Sequence, residues 1–287
     1  MAVSSMERCV DMNSKVDIET REVNLLVEAI KVFSGYDLSG YAKSSLKRRV
    51  KAYIDSVGLK SISELIPLLA HNENYRQKLI NDLTVNVSDL FRHPHSYLKM
   101  NELVFPYLSS FPRINIWVAG CASGEEVYSI AIILKEFGLL NRAKIYATDI
   151  NTETLEQAKS GVLRKNLQRE DAMRYQMSGG ADSLSRYFST GYGKQKLSQS
   201  LLDHIHFTSH NLVQDSVFCS CELVLCRNVM IYFDFDLQNR VLDLLFDSVV
   251  NNGYLVIGAK ESLDTSRIFR SLKVIDDESR IYQRKAT

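Results

Sequence analysis

No apolar run in this chain approaches the roughly 18 residues needed to cross a bilayer, and Met1 to Asp17 lacks the hydrophobic core of a secretion signal. These absences predict a cytoplasmic protein with no direct membrane insertion. Charge of one sign is missing too. Lys+Arg of 35 against Asp+Glu of 34 leaves a formal net charge of +1, so attraction to an acidic partner has to come from a local patch, and no nucleic-acid partner is expected. The 5 cysteines, at 9, 121, 219, 221 and 226, are odd in number and thinly spread, which suits reduced thiols better than a disulfide framework. Cys219 and Cys221 have no His/Cys partner pair at ligand spacing, and on a strand they merely share a face, so no metal is expected. What the chain does have is 287 residues with 45% hydrophobic content, enough for one large core or two domains of unequal size.

Positions 1–17 are polar and unpatterned and predict a loose tail. From Ile18 to about Thr84 the periodicity is helical. Val23, Leu26, Ile30 and Phe33 recur at helical spacing up to Gly35, and Leu46, Val50, Tyr53, Ile54 and Val57 mark a second helix closed by Gly58. Ser61 to His71 and Asn74 to Thr84 complete a small helical domain, with boundaries near 18 and 85. After Phe111-Pro112 the pattern changes to strands at Ile114 to Val118, Lys144 to Ala147, His204 to Thr208, Glu222 to Cys226, Tyr254 to Gly258 and Arg280 to Arg284. Helical stretches at Glu125 to Phe137, Thr152 to Ser160 and Asp236 to Val250 fall between them. Strands alternating with helices predict an α/β domain over 86–287 with a mostly parallel, doubly wound sheet. RYFSTGYGKQKLSQS, over 186–200, reads as a small β-hairpin inserted into it.

The stretch VAGCASGEE, Val118 to Glu126, is the turn leaving a buried strand and opening a helix. A dinucleotide fold needs closely spaced glycines there, so that backbone N–H groups can approach a pyrophosphate. Only Gly120 and Gly124 are present, and Glu125 and Glu126 place negative charge where a phosphate would lie. Like charges at about 4 Å cost about 4 kcal/mol at an intermediate dielectric. The same acids favour a nucleoside bearing positive charge, and S-adenosylmethionine has a sulfonium, an ammonium and no phosphate. Asp149, ending the second strand in YATDIN, is placed to accept from ribose hydroxyls. Structural readings stand beside these. Ser123 and Glu126 have capping-box spacing, and Asp149 could cap the helix beginning near Asn151.

CRNVMIYF, Cys226 to Phe233, follows the strand at Glu222 and contains no proline, unlike the Pro-containing turn with which amino-group methyltransferases hold an amine. Arg227 and Tyr232 offer donors suited to an anionic or oxygen acceptor. A salt bridge under the sheet and core packing are the alternatives. NVSDLFRHPHSY, Asn86 to Tyr97, could turn Asn86, Ser88 and Arg92 toward one cleft, although by itself it reads as a linker; His93 and His95 receive no role.

Together these stretches resemble the chemotaxis-receptor glutamate methyltransferases, the CheR family. NVSDLFR is similar to a family pattern near NVTxFFR, CASGEEVYSIAI to STGEEPYSIAI, YATDIN to ATDID, and HNL at 210–212 and CRNVMIYF follow in order. Ser88 replaces the usual Thr, Val127 the usual Pro and Leu90 an aromatic. The resemblance runs from about Ile18 to the C-terminus and implies a Rossmann-like methyltransferase sheet. By position it implies that Asn86, Ser88, Arg92, Glu126, Asp149, Asn211, Leu212, Arg227 and Asn228 line the S-adenosylmethionine pocket, with Arg92 and Tyr232 nearest the transferring methyl.

The implied reaction is methyl transfer to glutamate side chains of chemoreceptors, leaving S-adenosylhomocysteine. A glutamate is already ionised near pH 7, so it can attack the sulfonium methyl without a general base, and the enzyme's task is alignment and desolvation. Leu46, Val50, Tyr53 and Val57 form a buried stripe that leaves Lys47, Arg48 and Lys51 outward. The resemblance implies that this basic face meets the acidic methylation helices of the receptor. The short loop around GYGKQK is expected to act without a receptor tether peptide. A regulatory module without transfer activity, or a methyltransferase for another protein or a small acid, are the competing readings.

Overall fold

The computed structural model describes residues 3–84 and 88–286, with side chains described from Ile18 onward. The chain divides into two units, Met1–Val85 with Tyr232–Leu237, and Asn86–Ile231 with Gln238–Thr287.

The first unit is helical. It contains α1 (Val3–Ser34), α2 (Lys43–Val57), α3 (Leu65–His71) and α4 (Glu73–Leu83). Helix α1 starts at Val3, so the positions expected as a loose tail over 1–17 are helical from there on. The reason is local: no Gly or Pro lies between 3 and 34, while the apolar stripe that makes a helix legible begins only at Val23. Gly35 ends α1 at φ 77, and Gly58 caps α2 at φ 74, its N–H donating to the Ile54 carbonyl. Val23, Leu26, Ile30, Leu46, Val50, Tyr53, Leu65, Leu69 and Leu79 form the core. Phe33, expected in the stripe, is exposed, because α1 ends one residue later.

The second unit opens with α5 (Pro94–Leu103) and the single turn α6 (Phe105–Leu108), neither of which the periodicity marked. Its sheet then follows as β1 (Ile114–Ala119), α7 (Glu125–Glu136), β2 (Ala143–Asp149), α8 (Thr152–Ser160), α9 (Arg169–Met177), β3 (Phe188–Gly191), β4 (Lys194–Leu197), α10 (Gln199–Leu202), β5 (Ile205–Ser209), β6 (Cys221–Cys226), α11 (Phe235–Ser248), β7 (Val249–Ile257), β8 (Leu272–Asp276) and β9 (Ile281–Arg284). Seven strands run in the order β5-β2-β1-β6-β7-β9-β8. The first five are parallel, and β9 and β8 turn antiparallel at one edge. β3 and β4 form a separate antiparallel hairpin.

Central strands are mostly apolar because both faces are covered: Ile114, Ile116, Trp117, Val118 and Ala119 of β1 are buried, and only Asn115 is half-buried. Pairing Val118 with Ala147 on one side and with Leu225 on the other aligns the carboxyl ends of β2, β1 and β6. This is a mostly parallel α/β sheet accompanied by an N-terminal helical unit. In such sheets ligands bind beyond the carboxyl ends of the strands.

Candidate active site

Between β1 and α7 the backbone enters the left-handed region at every second residue, with φ of 71 at Gly120, 47 at Ala122 and 96 at Gly124. Glycine is required twice for space as well. A Cβ on Gly120 would stand 2.4 Å from Val229 Cγ2, and one on Gly124 would stand 2.7 Å from the Tyr128 ring. Backbone donors tie the loop to the next strand: Gly120 N and Cys121 N to the Thr148 carbonyl at 2.8 and 2.9 Å, and Ala122 N to Asp149 Oδ2 at 2.8 Å.

Helix α7 takes Gly124 as its cap, so the Ser123/Glu126 capping box does not form, and Ser123 Oγ donates to Glu125 Oε2 at 2.6 Å. Glu126 instead faces β6, its Oε1 lying 3.5 Å from the Arg227 guanidinium. The Arg227 side chain is 1% exposed; it donates to Tyr97 Oη at 3.1 Å and to the Arg92 carbonyl at 2.8 Å. Burial pushes the Glu126 carboxyl above the usual carboxylate range, against the opposing pull of Arg227 and Arg92.

Asp149 is buried at the end of β2, and its two oxygens accept from Ala122 N and from Asn151 N at 2.9 Å. Burial raises its pKa while those backbone donors oppose the shift. The cap of α8 is Asn151, whose side chain accepts from Thr154 N at 3.0 Å. Asp149 therefore braces the glycine loop, and each carboxylate oxygen retains a further lone pair for a hydroxyl.

Backbone strain gathers around the same strand ends. Phe91, His93, Ala122 and Asn228, none of them glycine, have φ between 47 and 61. Two of them flank Arg92, which is half-buried and offers its carbonyl to Arg227. Asn228 Nδ2 and Glu126 Oε1 are buried without a hydrogen-bond partner among the described residues. A donor and an acceptor at neighbouring strand ends match the carboxylate and ammonium of an amino acid.

The other expected residues have different surroundings. Asn211 shapes a turn, its Oδ1 accepting from Val213 N and its Nδ2 donating to Gln214 Oε1, and Leu212 is buried beside it. Ser88 lines a cavity of about 600 Å³ together with Leu90, Ser123, Glu125 and Arg174. Asn86 lies outside the described residues. Tyr232 belongs by its packing to the helical unit, where the Arg49 guanidinium stands over its ring at 4.3 Å and its carbonyl accepts from Ala42 N at 2.8 Å. On α2, Lys47 and Lys51 both reach Glu19, at 2.6 and 3.0 Å; Arg48 and Lys51 are exposed and Lys47 is half-buried.

Sequence reasoning missed Glu261. It is buried after β7, and its carboxylate accepts from the backbone N–H groups of Asn228, Val229, Met230 and Gly258 at 3.1, 3.0, 2.8 and 2.6 Å. One side chain thus holds the turn that carries Arg227 and Asn228. An acid three residues beyond the glycine that ends a strand was the available signal.

A family profile described as the CheR methyltransferase SAM-binding domain matches residues 86–276, and one described as the CheR methyltransferase all-alpha domain matches residues 21–84. The chain belongs to the CheR methyltransferase family. Relatives of this CheR-family chain include a Pseudomonas putida protein named "Putative methyltransferase Cher3", 40% identical over 92% of this chain and 96% of the relative. The chemotaxis protein methyltransferases of Salmonella typhimurium and Escherichia coli are each 30% identical over 88% of this chain and 88% of the relative. The family's cofactor is S-adenosylmethionine, and the donor set fits it: buried acids, an unpartnered amide and no glycine-rich phosphate cradle. Among the described residues no cluster of His, Cys, Asp and Glu suits a metal ion, and no helix is long and apolar enough to cross a membrane.

Proposed function

We propose that this chain transfers the methyl group of S-adenosylmethionine to glutamate carboxylates of chemotaxis receptors, giving glutamyl methyl esters and S-adenosylhomocysteine. The observation that carries the reading is the Glu126–Arg227 pair at adjoining strand ends, within motifs that follow the family order. Bound there, the cofactor supplies an electrophilic methyl on a sulfonium. Glu126 and Asn228 hold its amino-acid end, Asp149 takes the ribose hydroxyls, and Arg227 fixes Glu126 while clamping the Arg92 carbonyl. Ser88, Asn86, Asn211 and Leu212 complete the pocket by their motif positions, and Arg92 and Tyr232 are assigned to the acceptor by theirs. The acceptor carboxylate is ionised at neutral pH, so these residues orient it and exclude water, and no base is required.

Transfer of radiolabelled methyl to the cytoplasmic part of candidate receptors, released as methanol by mild base, tests the reaction. Base-labile label that disappears in Tyr232→Phe supports it. Tight S-adenosylhomocysteine binding without label on any receptor would favour a regulatory module, and label on a different acceptor would redirect the substrate.

The receptor-facing surface is assigned to α2. Lys47→Glu with Arg48→Glu is expected to reduce receptor methylation at least about tenfold while S-adenosylhomocysteine affinity stays within about twofold. Glu19 already occupies Lys47, so Arg48→Glu alone is expected to account for most of the loss. A receptor lacking its C-terminal tail should be methylated as well as the intact one, since β3 and β4 are joined by only Tyr192 and Gly193.

Cofactor affinity should depend on pH with a definite sign. Burial raises the Glu126 pKa, so the carboxylate is neutralised at a higher pH than an ordinary glutamate and then no longer pairs with an ammonium. Calorimetric affinity for S-adenosylhomocysteine is expected to fall on acidification, beginning at a higher pH than neutralisation of an ordinary glutamate would give, and Glu126→Gln should flatten that dependence.

A further inference from the structure

Two of the thiols lie outside the methyl-transfer site, at the opposite end of β6 from Arg227. Cys219 and Cys221 are two residues apart, a separation that in a regular strand spans about 6.6 Å. Here Cys219 precedes the strand that begins at Cys221, and the two sulfurs converge to 3.1 Å. That is roughly 1 Å longer than a disulfide bond.

Neighbouring groups fix this convergence. Asn115 Nδ2 donates to the carbonyl of the intervening Ser220 at 3.2 Å, and Asn115 N donates to Glu222 Oε2 at 2.6 Å. Phe218, just before the pair, packs edge-on against Trp117 and Tyr146 at ring distances of 5.0 and 5.6 Å. β6 also changes register just after the pair: Cys221 is matched with Val249 and Leu223 with Tyr254, so the ladder is irregular beside the two thiols.

The two thiols differ in access. Of the cysteines with described side chains, Cys121, Cys221 and Cys226 are buried, and Cys219 alone is partly exposed. The hydrogen bond from Cys221 lowers the Cys219 pKa, whereas the same contact and burial raise that of Cys221. An accessible thiol with thiolate character beside a second thiol is the arrangement of a peroxide-reactive pair.

We propose that Cys219 and Cys221 are an oxidative modification site, in which a hydroperoxide converts the pair into an intrachain disulfide. Cys219 thiolate attacks the peroxide, breaking the O–O bond, and becomes a sulfenic acid while an alcohol or water leaves. The Cys221 sulfur then attacks the Cys219 sulfur and expels water. Two thiols and one hydroperoxide thus give one disulfide, one alcohol and one water (two waters from hydrogen peroxide), and a dithiol reductant reverses the change.

The test uses the full chain, fully reduced, exposed to hydrogen peroxide, quenched with N-ethylmaleimide and mapped by peptide mass spectrometry. Cys219 and Cys221 are expected to lose alkylation together, in a peptide lighter by two hydrogens that dithiothreitol restores, while buried Cys226 stays reduced. Cys219→Ser should slow peroxide consumption at least about tenfold. Cys221→Ser should instead leave a Cys219 sulfenic acid that dimedone traps. Circular dichroism of each variant separates misfolding from lost reactivity. The proposal is overturned if both thiols remain alkylatable after peroxide treatment, or if Cys221→Ser yields the same products as the unaltered chain.

Discussion

Arg227→Met is expected to lower the unfolding midpoint of the methyltransferase unit by about 10 °C and to weaken S-adenosylhomocysteine binding roughly 100-fold. The Arg227 side chain is 1% exposed, so its removal leaves the Glu126 carboxylate without its cationic partner in a buried setting, a change that typically costs about 3–5 kcal/mol. Tyr97 Oη and the Arg92 carbonyl lose their donor as well, which frees the segment whose backbone is held at positive φ on either side of Arg92. Arg227→Lys keeps the charge but replaces the two nitrogens that reach Tyr97 and the Arg92 carbonyl separately by one, so its affinity should lie between the two. Differential scanning calorimetry with titration calorimetry measures both quantities. Unchanged affinity in Arg227→Met would remove the pair from the cofactor site.

Glu261→Gln has the second large expected effect, although this residue reaches the site only through the backbone of the turn that carries Asn228. Four backbone N–H groups converge on its carboxylate, and an amide replaces one of the two accepting oxygens with an NH2 that confronts two donors. Hydrogen bonds to a charged group are worth about 1.5–3 kcal/mol each, and an unmade pair in a buried site is the costly case, so a loss of about 3 kcal/mol is expected. Because three of those donors belong to Asn228, Val229 and Met230, methyl transfer should fall further than stability alone explains. Activity measured well below the variant's own unfolding midpoint separates the two effects. Full activity there would reduce Glu261 to a purely structural residue. Gly258→Ala provides an independent check, since its Cβ would stand 2.7 Å from both Glu261 Oε2 and Asn228 N.

The parallel strands were legible because a strand covered on both faces is mostly apolar, as 116–119 of β1 and 223–226 of β6 are. Helix α9 was not, since Tyr175 is its only buried side chain and so no stripe forms. β8 escaped for a related reason: it is an edge strand in which Lys273 and Val274 are both exposed. At the site, the spacing of Ser123 and Glu126 suggested a capping box, but α7 begins one residue later on a left-handed Gly124, a detail that only the backbone reveals. Glu261 acts through main-chain donors, so its place three residues beyond Gly258 was the one mark it left in the sequence. Tyr232 read as a pocket residue from its neighbours in CRNVMIYF, while its ring packs with Arg49 of the helical unit.

The excursion Tyr232–Leu237 sets a limit on how this chain can be dissected. Phe233 bridges to Tyr41 and stacks edge-on against it at 5.1 Å, and Asp234 N donates to the Gly40 carbonyl at 2.8 Å. The helical unit is therefore finished by six residues encoded far downstream, immediately before most of α11. A fragment ending at Val85 would lack those residues, and one starting at Asn86 would carry Phe233 without Tyr41. A gene split at that boundary should therefore leave the helical unit incomplete, and co-expression of both pieces, not the first piece alone, is the arrangement expected to restore it.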